Sequence, residues 1–199
     1  MFKPNSYVII AFIFTTAASV LRENKYIAYV DEVPTLLPNP RNYTTIFILD
    51  THVAVLQPPY LSNLENVKEL VLGNARYLRE IKKGVLDNSN LQRLKVYISR
   101  LKRIDDDALD NMPKLVQVSL IYGRLVKISS KWFRNSHNVE EFILSHNRVR
   151  SLTRVVFRNI YNVKYLSLRG IHFEPQSSAF TNESGLQEYL QREISEFRS

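Results

Sequence analysis

A spacing of 24 residues constrains this chain more than any other feature. In VEEFILSHNRVRSL, residues 139–152, apolar side chains fall at Val139, Phe142, Leu144, Val149 and Leu152. That rhythm fits neither a helix of period 3.6 nor a strand of period 2. Displaced by 24, it meets Leu115, Val118, Leu120, Leu125 and Ile128, and by 24 more, Leu91, Leu94, Val96, Leu101 and Ile104. A third step reaches Val67, Leu70 and Leu72, after which Leu78, Ile81 and Leu86 run one residue late. Tyr43, Ile46, Ile48, Val53 and Leu56 lie one step further back, and Val163, Leu166, Leu168 and Phe173 one step forward. Six units therefore share a register, with starts at 43, 67, 91, 115, 139 and 163. A later apolar slot carries Leu61, Leu109, Phe133 and Phe157. Each unit is too short to bury its own apolar edge, so stacked neighbours must build the core.

The pattern L-x-x-L-x-L-x-x-N-x-L-x-x-I resembles the extracellular leucine-rich repeat (LRR) family over roughly residues 33–175. The resemblance implies an α/β, mainly-β solenoid, with short parallel strands lining a concave face. Short secreted LRR proteins of the insect style look similar. Two departures stand out. The family's Asn slot reads Thr51, Ala75, Ser99, Gly123, Asn147 and Ile171, so only Asn147 keeps the residue that satisfies turn backbone groups. The chain also has no cysteine, so the usual disulfide caps are absent. Residues 20–42 then form an N-terminal capping segment, whose Val33-Pro34-Thr35-Leu36-Leu37-Pro38 resembles the end of a cap. Residues 43–175 form the repeats. In 176–199, Leu186, Tyr189, Leu190, Ile194 and Phe197 fall at helical spacing, which predicts a helix over the last coil or one docked on another chain.

Residues 1–19 read as a secretory signal. Lys3 precedes the apolar run Tyr7–Ala18, and Ala17, Ala18 and Ser19 offer a cleavage site. The rival is a membrane anchor, but a span needs roughly 20 apolar residues, and Arg22, Glu23 and Lys25 interrupt this one. Sequons at Asn42 and Asn182 fit a secreted chain and mark glycosylation candidates.

Function would reside in the slots between the leucines. Stacked coils should bring Val71, Tyr97, Ile98, Ile121, Tyr122 and Ile143 into one apolar patch on the concave side. Arg93, Glu69, Gln117, Glu141 and Tyr165 would form its margin. Such a patch calls for a partner protein. The alternative is that the patch residues fold over the loop edge and are partly buried. A second column, His52, Arg76, Arg100, Arg124, Arg148 and His172, would place a row of arginines along one edge, thickened by Arg79, Lys102, Arg103, Lys127 and Arg150. It reads either as a polyanion track for sulfated glycan, nucleic acid or anionic lipid, or as a solvated edge. A net charge of +8 suits acidic partners.

The sequence carries no catalytic constellation. The four histidines lie in different coils, and Ser145-His146 is not a catalytic pair, because neighbours in a strand point to opposite faces. Asp105-Asp106-Asp107 lacks the glycine turn and trailing glutamate of a calcium loop, and reads instead as the start of a short helix. Trp132 reads as convex-side packing. The expectation is an extracellular recognition module, in innate immunity or cell adhesion, that is not an enzyme and uses no cofactor, metal or small-molecule substrate. Its uncapped ends would allow pairing with a second copy or another chain.

Overall fold

The computed structural model describes residues 20–23, 25–36, 40–87, 90–150, 154–157, 159–160 and 162–171. The signal segment, His172, Asn182 and the C-terminal helix expected at 176–199 lie outside them.

The chain winds as a solenoid whose coils each contribute one strand to a parallel sheet. The repeat strands are β3 (Tyr43–Leu49), β5 (Glu69–Gly73), β7 (Arg93–Tyr97), β9 (Gln117–Ile121), β10 (Glu141–Ile143) and β11 (Tyr165–Ser167). Ile46, Leu70, Leu94, Val118, Phe142 and Leu166 are direct partners across the sheet. The register is therefore 24 residues at every step, as the sequence implies. These residues, with Ile48, Leu72, Val96, Leu120, Leu144 and Leu168, point inward and are buried in one continuous core. The intervening side chains point to the concave face, because strand side chains alternate.

A second sheet runs behind the first, made of β4 (Val55–Leu56), β6 (Glu80–Ile81) and β8 (Arg103–Ile104). Leu56 pairs with Ile81 and Ile81 with Ile104, offsets of 25 and then 23. The late residue of the second repeat is thus a local insertion, absorbed before the next strand. Leu61, Leu86, Leu109, Phe133 and Phe157 close the convex side. Trp132 is buried there, edge-on to Phe133 at 6.3 Å, as expected of packing.

At the N-terminal end, β2 (Lys25–Val30) adds a strand parallel to β3, and β1 (Val20–Glu23) turns back antiparallel onto β2. The parallel sheet thereby ends in a hairpin. The 24-residue frame does not predict this strand, because β2 lies outside it. The helix expected at Asp105 is replaced by turns, in which the Ala108 amide donates to the Asp105 carbonyl (3.0 Å). Each of the three acids faces a cation instead: Asp105 meets Lys82 and Arg103, Asp106 meets Lys131, and Asp107 meets Arg134. Lys82 and Arg103 also hold the half-buried Glu80 carboxyl below the usual carboxylate range. Among the described residues the one α-helical turn is α1 (Arg154–Phe157), and no helix is long and apolar enough to cross a membrane.

The missing asparagines of the turn slot are replaced piecemeal. Asn147 accepts from the Leu125 amide (3.0 Å) and donates to the carbonyls of Leu120 (2.7 Å) and Leu144 (2.9 Å). It therefore serves two coils. Gly123 precedes it in the column because a Cβ there would lie 2.5 Å from Asn147 Oδ1. Thr51 and Ser99 hydroxyls accept from Val53 and Leu101 amides, at 3.2 and 3.3 Å. Another asparagine column lies on the residue just before five of the six repeat starts, with Lys114 at the sixth. Asn138 donates to the Pro113 carbonyl (2.7 Å), Asn162 to that of His137 (3.0 Å) and Asn90 to that of Glu65. The signal was in the sequence, in Asn42, Asn66, Asn90, Asn138 and Asn162, outside the family's usual slot.

Candidate protein-binding edge

Where each strand ends, the backbone must leave the sheet, and it does so in the same way in every coil. Asp50, Asn74, Ile98, Tyr122, His146 and Gly170 form a column of residues with positive φ, between 51° and 72°. Asp, Asn, His and Gly are the residue types that accept this left-handed conformation. Ile98 (φ 52°) and Tyr122 (φ 55°) are not. Cβ crowds the carbonyl there, at a cost of roughly 1–2 kcal/mol per residue, and a β-branched side chain makes it worse. Leu61 also has positive φ, but it is buried in the core. Ile98 and Tyr122 have no such compensation, being 50% and 57% exposed.

Tyr122 heads a short aromatic stack. The Tyr122 and His146 rings lie parallel, 3° apart, with centroids at 4.5 Å. Beyond His146 stands Gly170, where any Cβ would strike the imidazole ring. Tyr122, His146 and the Gly170 backbone thus form a layered edge, assembled from three coils. A similar pair, His52 with Tyr77 at 4.9 Å, occupies the first two coils. Tyr77 comes from the inserted residue, and Arg76 turns instead toward Asn74, its Nε donating to Oδ1 at 2.7 Å.

The structure narrows the expected patch. Ile98 and Tyr122 are exposed, and Tyr97, Ile121 and Ile143 are half-buried. Val71 is 3% exposed and offers no surface; it sits in register between the longer Phe47 and Lys95. Tyr165 is 54% exposed but lies on the last described strand, away from Ile98. The polar margin is tied across coils. Glu69 meets Lys95 at 2.7 Å and Arg93 at 3.3 Å, and Gln117 donates to Glu141 at 2.7 Å. Burial raises the Glu69 pKa, but Lys95 and Arg93 outweigh it and hold the carboxyl below the usual carboxylate range.

In the arginine column and beside it, the side chains differ in their partners. Arg76 is engaged with Asn74, and Arg103 is neutralised by Glu80 at 3.0 Å. Arg100, Arg124 and Arg148 make no ion pair with any described acid, and their backbones stack coil on coil, the Arg124 and Arg148 amides donating to the Leu101 and Leu125 carbonyls (both 2.9 Å). No cluster of His, Asp or Glu among the described residues has the arrangement of a metal site.

A 24-residue register, a parallel strand per coil and a concave sheet together define a leucine-rich repeat solenoid. Residues 57–187 match the family described as BspA type leucine rich repeat region, in six copies, and the chain belongs to that family. No curated protein sequence matches it. Among solved structures, an LRR protein of Leptospira interrogans is similar, with a TM-score of 0.64 at 18% identity. The similarity covers 75% of this chain and 38% of that one. Human 5T4, a trophoblast glycoprotein also called Wnt-activated inhibitory factor 1, is similar with a TM-score of 0.55 at 16% identity, covering 84% of this chain and 75% of its own. At such identities the likeness concerns the fold.

Proposed function

We propose that this protein is a secreted recognition module that binds another protein through the rim of its concave face, centred on Ile98 and Tyr122 with Tyr97, Ile121 and Ile143 behind them. One observation carries the reading: two bulky apolar residues hold a strained left-handed backbone and still face water. Strain kept at a position that contributes little to the core points to use. Family membership supports binding rather than catalysis; the setting in this proposal is immune or adhesive and outside the cell. Glycans on Asn42 and Asn182 would belong to the same setting. Asn42 is exposed, so an attached glycan has room.

The test is capture of a partner from the organism's own extracellular fluid. Replacing Tyr97→Ala with Tyr122→Ala should abolish capture, with little dependence on salt. Unchanged capture by that variant would refute the reading. A second reading, a polyanion track along Arg76, Arg100, Arg124 and Arg148, rests on that column of arginines alone. It requires retention on heparin at physiological salt, a steep loss of binding as salt rises, and loss on Arg100→Glu with Arg124→Glu.

A further inference from the structure

The apolar column and the arginine column occupy the same edge of the same three coils. Ile98, Tyr122 and His146 each precede Arg100, Arg124 and Arg148 by two residues. Two residues span at most about 7 Å of backbone, and successive coils are about 4.8 Å apart. We propose that these six residues form one composite site for an extended acidic peptide segment of a partner protein, in which apolar and acidic side chains alternate. This rests on the reading of the rim as a protein-binding site.

Three observations select that ligand. First, an extended segment sends alternate side chains to opposite sides. Laid between the columns, it would direct one set toward Ile98 and Tyr122 and the other toward the arginines. Guanidinium groups without an acid among the described residues suit carboxylates, which they grip in pairs of hydrogen bonds. Second, the stack works against a nucleobase. Single-stranded nucleic acid binds on free aromatic faces. Here His146 is layered between Tyr122 and Gly170, and one face of Tyr122 is taken by His146. Third, the site has an acidic boundary. In the first two coils the left-handed column carries Asp50 and Asn74, hydrogen-bonded to each other. The Asp50 carboxylate repels an acidic ligand, so binding is confined to the coils from Ile98 onward. A sulfated glycan would use the arginines and gain nothing from the exposed Ile98 and Tyr122.

The experiment measures binding of the full chain, at physiological salt, to four probes: an alternating Glu-Tyr octapeptide, an alternating Glu-Ser octapeptide, heparin, and oligothymidylate. The Glu-Tyr peptide should bind at least about tenfold more tightly than the Glu-Ser peptide, a difference of about 1.4 kcal/mol, and heparin and oligothymidylate no more tightly than Glu-Ser. Arg100→Glu with Arg124→Glu, and separately Ile98→Asn with Tyr122→Asn, should each weaken Glu-Tyr binding by a similar factor. Tighter binding of heparin or oligothymidylate, equal binding of both peptides, or no binding of Glu-Tyr would overturn the proposal. Partner capture distinguishes this failure from failure of the broader reading. If the Ile98/Tyr122 variant loses the captured partner and the arginine variant keeps it, the composite site is wrong and the rim stands. If both variants keep the partner, both are wrong.

Discussion

Ordinarily glycine is worse than alanine inside a folded element, by roughly 0.5–1 kcal/mol, because the unfolded chain gains freedom. At Ile98 the order should reverse. The backbone there has φ 52°, where an L-residue carries roughly 1–2 kcal/mol of crowding that glycine escapes. Subtracting the entropy term leaves Ile98→Gly more stable than Ile98→Ala by up to about 1.5 kcal/mol, with a central value of about 0.8 kcal/mol. Both variants lose the contacts of the same exposed isoleucine side chain, so contact energy largely cancels from the comparison. The assay is urea unfolding of the two variants, read by circular dichroism, with the same pair at Val96 as control. Val96 is a buried strand residue, and there alanine should win. For a chain of this size 1 kcal/mol is about 2–4 °C in melting temperature, which a thermal scan resolves. If Ile98→Ala proves at least as stable as Ile98→Gly, the strain assigned to this column does not exist, and the functional reading built on it falls.

Other consequences follow from the core and the turns. Leu94→Ala removes a buried link between three coils and should cost about 2–5 kcal/mol, measured as a shift in the urea midpoint. Asn147→Ala orphans the Leu125 amide and two carbonyls and should cost about 2–3 kcal/mol. Gly123→Ala should be destabilising in the wild-type background and much less so with Asn147→Ala, because the clash is with that side chain; a double-mutant cycle reads the coupling. Glu69 has a lowered pKa in the fold, so its contribution is complete above the unfolded value of roughly 4.3 and is lost as pH falls through the lower folded value. Wild type should therefore lose more stability than Glu69→Gln on going from pH 5 to pH 3, and equal losses would contradict the Lys95–Glu69–Arg93 cluster.

The solenoid was legible because its signal is periodic and redundant. Ile46, Leu70, Leu94, Val118, Phe142 and Leu166 repeat at one spacing, and parallel pairing preserves that spacing in three dimensions. Even the inserted residue near Tyr77 left its mark as a delayed leucine. The site was legible only as columns. Periodicity places Tyr122 beside Ile98 and His146, but it does not report φ, so the strain that singles out Ile98 and Tyr122 was invisible. Nor does it report the size of neighbours, which is why Val71 was placed on the surface. Spacing places Arg76 in the arginine row but does not report that its side chain donates to Asn74. The β1–β2 hairpin was missed because it belongs to no repeat.

Amide hydrogen exchange across the whole chain, free and bound to the captured partner, tests the rim most directly. Three separate stretches of sequence, 97–100, 121–124 and 145–148, should slow together, since only the stacked coils make them neighbours. Protection centred instead on the convex turns, at 109–113 and 133–136, with those three stretches unchanged, would show that the molecule meets its partner with its other face.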